Sequence, residues 1–293
     1  MNILLFGKNG QVGWELQRAL APLGNLIALD RHSVEYCGDL SDPGGITATI
    51  LAIKPDVIIN AAAHTAVDKA ESEPELAALL NTTSVAAMAK AAETVGALLV
   101  HYSTDYVFNG EGSEAWVETD TTAPLSVYGK TKCDGEKAIV ASCSYYLIFR
   151  TSWVYAAKGN NFAKTMLKLA AERDELSVID DQFGAPTGAE LIADCTAHAI
   201  RKAKKDISLS GIYHLIASGE TTWHQYAGYV INAGRLKGME LRVKSINPVP
   251  TSAFPTAATR PTNSRLSTTK FQDAFELTLP DWRVGVQRML NEI

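Results

Sequence analysis

The sequence predicts an α/β fold, with a doubly wound parallel sheet in the first half of the chain and a smaller C-terminal lobe. Two observations support this prediction. Short apolar runs alternate with amphipathic stretches, as they do in βαβ units. The apolar runs also lack a strict alternation of polar and apolar residues, which is typical of strands buried on both faces of a sheet.

The elements of the first half follow one another in βαβ order. The predicted strands are Ile3–Phe6, Leu26–Leu29, Val57–Asn60, Leu98–Ser103 and Tyr146–Arg150. The predicted helices are Val12–Leu20, Ile46–Ile53, Glu75–Val95, which Gly96 would end, and Tyr128–Val140. One more strand is expected to end near Asp39. We expect residues 1–150 to form the nucleotide-binding core, with the sheet completed by part of residues 151–205.

The sequence changes in character after residue 150. Helices are predicted at Phe162–Glu172 and Ala189–Lys202, and strands at Ser177–Ile179 and Gly211–Ile216. Four prolines then punctuate an irregular stretch between Pro248 and Pro261, and loops of this length are often functional or mobile. We expect residues 206–293 to form a smaller substrate-binding lobe, with the proline-rich stretch as its lid.

The composition excludes several classes of protein. With 46% hydrophobic and 20% charged residues, the chain resembles an ordinary globular protein, and its net charge of −5 disfavours nucleic-acid and membrane-surface partners. No apolar run approaches the roughly 20 residues that span a bilayer, and no signal peptide is recognisable. The four cysteines form no CxxC motif and indicate reduced thiols. We therefore expect a soluble, cytoplasmic protein.

A glycine-rich turn follows the first strand. Gly7, Gly10 and Gly13 are spaced as G-x-x-G-x-x-G at the start of a helix. Residues without a Cβ let the backbone approach a pyrophosphate on a helix N-terminus. Three spaced glycines are a weak signal alone, but their position between strand and helix predicts a Rossmann-type dinucleotide site.

The second strand ends in residues that bear on the choice of cofactor. Asp30 stands where an acidic residue would bind the adenosine ribose hydroxyls, whereas the adjacent Arg31 would favour a ribose phosphate. The sequence therefore points to both NADH and NADPH. Asp39 and Leu40 could contact the adenine, although a surface turn explains them equally well.

Small residues follow the strand Val57–Asn60. Ala62 and Ala63 would leave room for a flat ligand at the carboxyl end of the sheet. His64 comes next and is included among the candidate cofactor contacts, although a lone histidine is more often structural.

A Tyr-x-x-x-Lys pair, Tyr128 and Lys132, is the candidate catalytic motif. A spacing of four residues places both side chains on one helix face. A phenol has a pKa near 10, and a lysine charge ~4 Å away would lower it by roughly 3 units at an effective dielectric near 20. The pKa of Tyr128 would then lie near neutrality, where a general acid works best. Lys132 could also donate to the nicotinamide ribose.

Two hydroxyls at the end of the strand Leu98–Ser103 could bind a substrate carbonyl that Tyr128 protonates. Thr104 and Ser103 compete for this role. We place Thr104 with Tyr128 and Lys132 as the candidate catalytic residues.

Several long motifs together resemble the extended short-chain dehydrogenase/reductases that act on nucleotide sugars. Within that family, the similarity is greatest to the branch that reduces 4-keto sugars linked to dTDP. The motifs are Gly7–Gly13, Asn60–Ala63, Ser103–Phe108, Tyr128–Lys132, Arg150–Tyr155, Asp181–Thr187 and Arg260–Leu266.

The resemblance implies a specific reaction and a set of contacts. NADPH or NADH would reduce the 4-keto group of dTDP-4-dehydro-L-rhamnose, the last step of dTDP-L-rhamnose synthesis for bacterial surface polysaccharide. It also implies a homodimer and the use of Mg²⁺, although no carboxylate cluster at ligand spacing reveals the metal ligands. The implied cofactor contacts are Gly10, Gln11, Val12, Ala62, Ala63 and Lys132, and the implied substrate contacts are Thr104, Asp105 and Trp153. Arg260 could bind the substrate diphosphate or be a solvated loop residue.

Two alternatives share the fold, which alone cannot separate them. One is a nucleotide-sugar epimerase or 4,6-dehydratase, and the other is a non-catalytic NADP-binding regulatory subunit. In the dehydratases that the motif resembles, Asp-Glu follows the threonine, whereas Asp105 and Tyr106 occupy those positions here. The missing glutamate favours a reductase.

Overall fold

A computed structural model describes all residues, 1–293, and its centre is a parallel sheet of six strands. These strands are β1 (Asn2–Phe6), β2 (Asn25–Leu29), β3 (Val57–Asn60), β4 (Leu98–Thr104), β5 (Tyr146–Thr151) and β10 (Gly211–His214). The remaining strands are β6 (Val154–Tyr155), β7 (Glu175–Ile179), β8 (Phe183–Gly184), β9 (Thr187–Gly188), β11 (Thr221–Thr222) and β12 (Ser245–Val249).

Eleven α-helices surround the strands. Those of the first half are α1 (Gln11–Leu20), α2 (Pro43–Ile53), α3 (Val67–Ser72), α4 (Pro74–Ala78), α5 (Ser84–Val95) and α6 (Val127–Ser142). Those of the second half are α7 (Phe162–Glu172), α8 (Ala189–Ala203), α9 (Trp223–Leu236), α10 (Thr269–Phe275) and α11 (Trp282–Asn291).

The order of the central strands, β10-β5-β4-β3-β1-β2, confirms the predicted doubly wound sheet. From β1 the chain passes to β2 on one side and then to β3 on the other. Such a reversal leaves a crevice at the carboxyl ends of the two strands, where open α/β sheets bind ligands. Phe6 of β1 pairs with Asn60 of β3, so the turns that follow them lie side by side.

The sheet is buried on both faces. Alternate residues of β1 point to opposite sides, so Ile3 and Leu5 pack with α1, α8 and α10, whereas Leu4 and Phe6 pack with α2, α5 and α6. Each face thus buries a separate apolar cluster, and burial of this kind contributes roughly 25 cal/mol per Å² of apolar area. The continuous apolar runs in the sequence follow from this two-sided burial.

The sixth strand requires a correction to the predicted boundaries. The strand that completes the sheet is β10, which lies after residue 206 and not within residues 151–205. Helix α10, still later in the chain, also packs on the central sheet through Phe271 and Phe275. A separate layer is built from α7, α9, α11 and the parallel pair β7 and β12, around its own apolar clusters. The two parts therefore interleave along the chain.

Two further predictions of local structure were wrong. No strand ends at Asp39, whose carboxylate accepts a hydrogen bond from the Ser41 backbone N–H. The apolar side chain of Leu40 packs in the core beside the sheet. The predicted helix Glu75–Val95 is interrupted by a π-helical turn at Leu79–Thr83, although Gly96 ends it in a left-handed conformation as expected. None of the helices combines the length and hydrophobicity required to cross a membrane.

Candidate active site

A cavity of about 610 Å³ opens at the crevice between the carboxyl ends of the central strands. Predicted cofactor and catalytic residues line it together, namely Gly7, Gly10, Gln11, Val12, Ala62, Ala63, Thr104, Tyr128 and Lys132. The predicted substrate contacts Asp105 and Trp153 line the same cavity, as does Ser103.

The three glycines of the turn have different roles. Gly7 has φ +86°, and a Cβ there would lie 2.7 Å from the Ala62 backbone nitrogen. A Cβ on Gly10 would meet nothing closer than 3.5 Å, so this residue leaves open space at the N-terminus of α1. Gly13, predicted to bind cofactor, lies in neither of the adjoining cavities, and a Cβ there would overlap the Gly7 carbonyl oxygen. Gly13 therefore serves the packing of the turn.

A second cavity of about 430 Å³ continues from the glycine turn and shares Gly7, Gly10, Ala62 and Ala63 with the first. It is lined by Asp30, Arg31, Asp39 and Leu40, which are the candidate contacts for the adenosine end of a dinucleotide. The two cavities together have the form of an extended cleft with the glycine turn at its middle.

The Asp30 carboxylate is already well supported. It accepts hydrogen bonds from the His32 backbone N–H at 2.9 Å and from the Asn9 amide at 2.5 Å, and Lys8 lies 3.7 Å away. The hydrogen bond from His32 is the main cause that lowers the pKa of Asp30. An ionised carboxylate held in this way can accept from ribose hydroxyls and disfavours a phosphate nearby, while Arg31 offers the opposite charge.

His64 lies outside both cavities, although it was among the predicted cofactor contacts. Its backbone N–H and carbonyl are hydrogen-bonded to the Asn81 side chain at 2.8 and 3.1 Å, and its Nε2 lies 3.5 Å from a Glu73 carboxylate oxygen. Asn81 belongs to the π-helical turn, so this turn holds the segment after β3 in place.

The candidate catalytic tyrosine, Tyr128, lies in the first turn of helix α6. The Ser126 hydroxyl caps the helix by accepting from the Gly129 N–H at 3.1 Å, which places Tyr128 in its first turn beside the end of β4. The expected lowering of the Tyr128 pKa is absent. Burial is the main cause that raises the pKa of this phenol, a hydrogen bond with Thr104 opposes the rise, and Lys132 has no part in it.

The Lys132 side chain points toward β4 and not toward the Tyr128 hydroxyl, because its Nζ has two partners on that strand. It lies 3.0 Å from His101 Nε2 and 2.6 Å from the Tyr102 carbonyl oxygen. Burial lowers the pKa of Lys132 to about 8.

Five buried side-chain atoms at the first cavity have no hydrogen-bond partner: Gln11 Oε1, Ser103 Oγ, Asp105 Oδ2, Thr151 Oγ1 and Ser152 Oγ. A buried polar group left unpaired costs about 1–3 kcal/mol, and native proteins contain few of them. Their concentration around one cavity indicates a polar ligand that supplies the missing partners. Burial also raises the pKa of Asp105 to about 6, although its Oδ1 accepts a hydrogen bond from the Thr104 hydroxyl at 3.1 Å.

A third cavity of about 350 Å³ adjoins the first and is walled by Trp153, Trp223, Phe162 and Met166. Trp153 and Tyr106 line both cavities. Trp153 has φ +49°, a conformation that is costly for a bulky residue and is found mainly at functional sites. It is held by stacking on Trp223, with ring centroids 3.6 Å apart, and by Gly184, where a Cβ would lie 2.9 Å from the indole.

Arg260 lines the third cavity but is not free. Its guanidinium donates to the Asp68 carboxylate at 2.6 Å, and the same carboxylate accepts from the Ala258 N–H at 3.2 Å. Helix α3 thereby holds the proline-rich segment at the cavity rim.

Several residues in or behind the cavities could not be singled out from the sequence. Trp223 and Gln182 are hydrogen-bonded to each other at 3.0 Å, although 41 residues separate them. His101 appeared to be an ordinary strand residue. Tyr106 lay within a quoted motif, yet only its position between two cavities indicates a role.

The expected Mg²⁺ finds no support in this chain. Nowhere do three or more His, Cys, Asp or Glu side chains converge in a way that could hold a metal ion.

Comparison with known proteins places this site in a family. Residues 1–293 match the family model described as the RmlD substrate binding domain. A dTDP-4-dehydrorhamnose reductase of Shigella flexneri is 68% identical over 293 residues, which cover 100% of this chain and 98% of that protein. A dTDP-4-dehydrorhamnose reductase of Bacillus anthracis, crystallised in complex with NADP, has a TM-score of 0.88 and 34% identity, with 100% of this chain and 99% of that chain covered. A Clostridium acetobutylicum dTDP-4-dehydrorhamnose reductase has a TM-score of 0.87 and 36% identity, with 99% of both chains covered. The chain therefore belongs to the dTDP-4-dehydrorhamnose reductase family.

Proposed function

We propose that this protein reduces the 4-keto group of dTDP-4-dehydro-L-rhamnose to give dTDP-L-rhamnose, with NADPH or NADH as the hydride donor. Relatives that match over the full chain carry this activity in their names, and one of them was crystallised with NADP. The observation that carries the proposal is a cavity lined by Tyr128, Thr104 and Trp153, which joins a second cavity at the glycine turn and a third at Trp153.

The cleft suits a dinucleotide in one orientation. The adenosine would lie beside Asp30 and Leu40, the pyrophosphate on the N-terminus of α1 at Gly10, and the nicotinamide in the first cavity near Tyr128. When bound, the cofactor supplies the hydride that reduces the ketone. Ser103, Thr151 and Ser152 contribute the unpaired hydroxyls that would orient the ligands.

The protein's own contribution is the proton and the polarisation of the carbonyl. The Thr104 hydroxyl would donate to the 4-keto oxygen and favour the negative charge that develops there. Tyr128 would then protonate that oxygen, because a phenol is a stronger acid than the secondary alcohol being formed. Its raised pKa keeps the phenol protonated at neutral pH, as a donor must be.

The nucleotide part of the substrate is assigned to the third cavity. Its aromatic wall, with Trp153 stacked on Trp223, suits a base or a sugar ring, and Arg260 at its rim would offset diphosphate charge. Binding there places Trp153 between the nucleotide and the reacting sugar. The layer around α7, α9 and α11 would thus be the substrate-binding part of the enzyme. The homodimer is proposed from the family resemblance alone.

The catalytic proposal is tested by Tyr128→Phe, which removes only the hydroxyl. We expect kcat to fall by about a hundredfold or more, the usual scale for loss of a general acid. Thr104→Val should cost about 1–3 kcal/mol, which corresponds to roughly 5- to 150-fold. Turnover is followed by loss of NADPH absorbance with the 4-keto sugar nucleotide, and cofactor binding by fluorescence serves as the folding control. Near-normal turnover by Tyr128→Phe would refute the assignment.

The adjacent Asp30 and Arg31 lead to a prediction on cofactor use. Since one favours ribose hydroxyls and the other a ribose phosphate, we expect kcat/KM values for NADH and NADPH to agree within roughly thirtyfold, or about 2 kcal/mol. Steady-state kinetics with each cofactor measures the ratio. A preference greater than about a thousandfold would show that one of the two side chains does not face the ribose.

A further inference from the structure

A buried histidine lies behind the catalytic lysine. His101 is part of β4 and has almost no exposed surface. Its Nε2 lies 3.0 Å from Lys132 Nζ, and its Nδ1 lies 3.1 Å from the Asn60 amide nitrogen. A neutral imidazole has one donor and one acceptor nitrogen, so the partner at one nitrogen decides the role of the other.

The direction of this hydrogen-bond chain follows from the backbone. The Ala62 N–H can only donate, and the Asn60 side-chain oxygen accepts from it at 3.1 Å. The Asn60 amide nitrogen must therefore face His101 and donate to Nδ1. The hydrogen of the neutral ring then lies on Nε2 and points at the lysine.

An ammonium group has three donors and no acceptor, so a charged lysine would oppose the Nε2 hydrogen. Only an uncharged amine has the lone pair that can accept it. The same amine can still donate to the Tyr102 carbonyl, which lies 2.6 Å from Nζ.

We propose that His101 is a positioning residue that makes its hydrogen bond to Lys132 only when the lysine is an uncharged amine, so that the lysine takes up a proton when it leaves the histidine to serve the cofactor. Ala62 lines the cofactor cleft and is the first member of the chain that orients His101. The inference rests on the proposed function in one respect, namely that the cofactor occupies the cavity that Lys132 lines.

The other groups around the lysine are compatible with this proposal. Glu136, one turn along α6, favours the charged lysine, but its carboxylate is held by Arg150 of β5 at 2.7 Å. Burial raises the pKa values of Tyr128 and Tyr102, so both phenols are neutral.

The pKa values of His101 and Lys132 agree with this proposal. Burial is the main cause that holds the pKa of His101 well below its usual value, and a charge on Lys132 would lower it further, so the ring is neutral with either form of the lysine. Burial lowers the pKa of Lys132 to about 8. A lysine engaged with cofactor hydroxyls would regain a pKa nearer its ordinary value of 10.5, and binding would take up a proton between these two values.

Calorimetric titration of the free protein with NADPH in buffers of different ionisation enthalpy measures this uptake. We expect it to approach one proton per cofactor near pH 9 and to become small near pH 7, since about 90% of a group is protonated one pH unit below its pKa. In His101→Gln, the glutamine amide oxygen can accept a hydrogen bond from a charged Lys132, so the lysine is already protonated before the cofactor binds. This variant should therefore bind NADPH with little proton uptake at any pH. Binding without uptake by the unaltered protein, or equal uptake by His101→Gln, would overturn the proposal.

The tautomer of His101 can be read without cofactor. In ¹⁵N-labelled protein near pH 9, the ring signals that disappear in His101→Gln should show the hydrogen on Nε2. Asn60→Asp, which accepts at both oxygens, should move the hydrogen to Nδ1. A hydrogen on Nδ1 in the unaltered protein would refute the inference. If NADPH failed to bind at all, the proposed function would be contradicted, and this spectrum would still decide the role of His101.

Discussion

Gly10 and Gly13 belong to one glycine turn, yet the space around them differs. A Cβ on Gly10 would make only ordinary contacts with backbone oxygens at 3.5 and 3.9 Å, so the fold tolerates a side chain that projects toward the cleft. A Cβ on Gly13 would overlap the Gly7 carbonyl, so the packing of helix against turn depends on this residue.

These contacts predict opposite effects for two substitutions. Gly10→Val should abolish NADPH binding by calorimetry while the melting temperature changes little. Gly13→Ala should lower the melting temperature clearly, because backbone must move to admit the methyl group. Unchanged NADPH affinity in Gly10→Val would remove the turn from the cofactor site.

Asp105 gives a prediction on pH and stability. Burial raises its pKa to about 6 from an ordinary 3.8, so between these values the folded protein binds more protons than the unfolded chain. The protein therefore loses stability as pH rises from about 4 to 6, and the loss reaches roughly 3 kcal/mol above pH 6.

Asp105→Asn should remove this penalty. The variant should gain unfolding free energy relative to the unaltered protein as pH rises through the same window, while its turnover falls. Urea unfolding at pH 4, 5, 6 and 7 measures the difference between the two proteins. A difference that does not change with pH would show that Asp105 titrates normally.

At the scale of elements, α3 connects three parts of the site. It follows the cavity-lining segment after β3, its Glu71 accepts from the Val127 N–H at 2.8 Å at the start of α6, and its Asp68 holds Arg260 and Ala258. Because Asp68 and Arg260 are partly exposed, the ion pair contributes at most about 1 kcal/mol. A contact this weak can hold the proline-rich segment and also release it.

Asp68→Asn should loosen that segment. We expect faster hydrogen exchange at residues 254–261 and a KM for the sugar nucleotide that rises several-fold, since the ion pair that orders the rim is lost. Glu75→Gln, a change to an exposed carboxylate on the neighbouring helix α4, is the matched control. Exchange at 254–261 that equals the control would show that Asp68 does not restrain the loop.

Only some of these elements could be predicted from the sequence. Buried strands and capped helices were predictable because their signals are local: apolar runs, a glycine turn, and Gly96 after α5. The π-helical turn was missed because no local sequence signal marks it. The hydrogen bonds that its Asn81 makes are to His64, 17 residues away in the sequence. The orientation of Lys132 was missed for the same reason, since His101 and Tyr102 come from another element.

At the scale of the molecule, successive segments of the chain belong alternately to the central sheet and to the second layer around α7, α9 and α11. After β5 it enters that layer at α7, returns to the sheet with α8 and β10, and leaves it again for α9. The crossing points hold Trp153, Gln182 and Arg260, all of which line the third cavity. A single domain boundary near residue 206 could not describe this alternation, because each layer is completed by contacts between segments that are distant in the sequence.

The central claim is that a hydride from the cofactor reaches C4 of a dTDP-linked 4-keto sugar and that Tyr128 supplies the proton. Incubation with NADPH deuterated at the transferred position, followed by mass spectrometry and NMR of the product, tests it directly. We expect one deuterium at sugar C4 and one NADPH consumed for each product molecule, with formation at least about a hundredfold slower in Tyr128→Phe. Product without deuterium at C4, or conversion of dTDP-glucose to its 4-keto-6-deoxy derivative without net loss of NADPH, would contradict it.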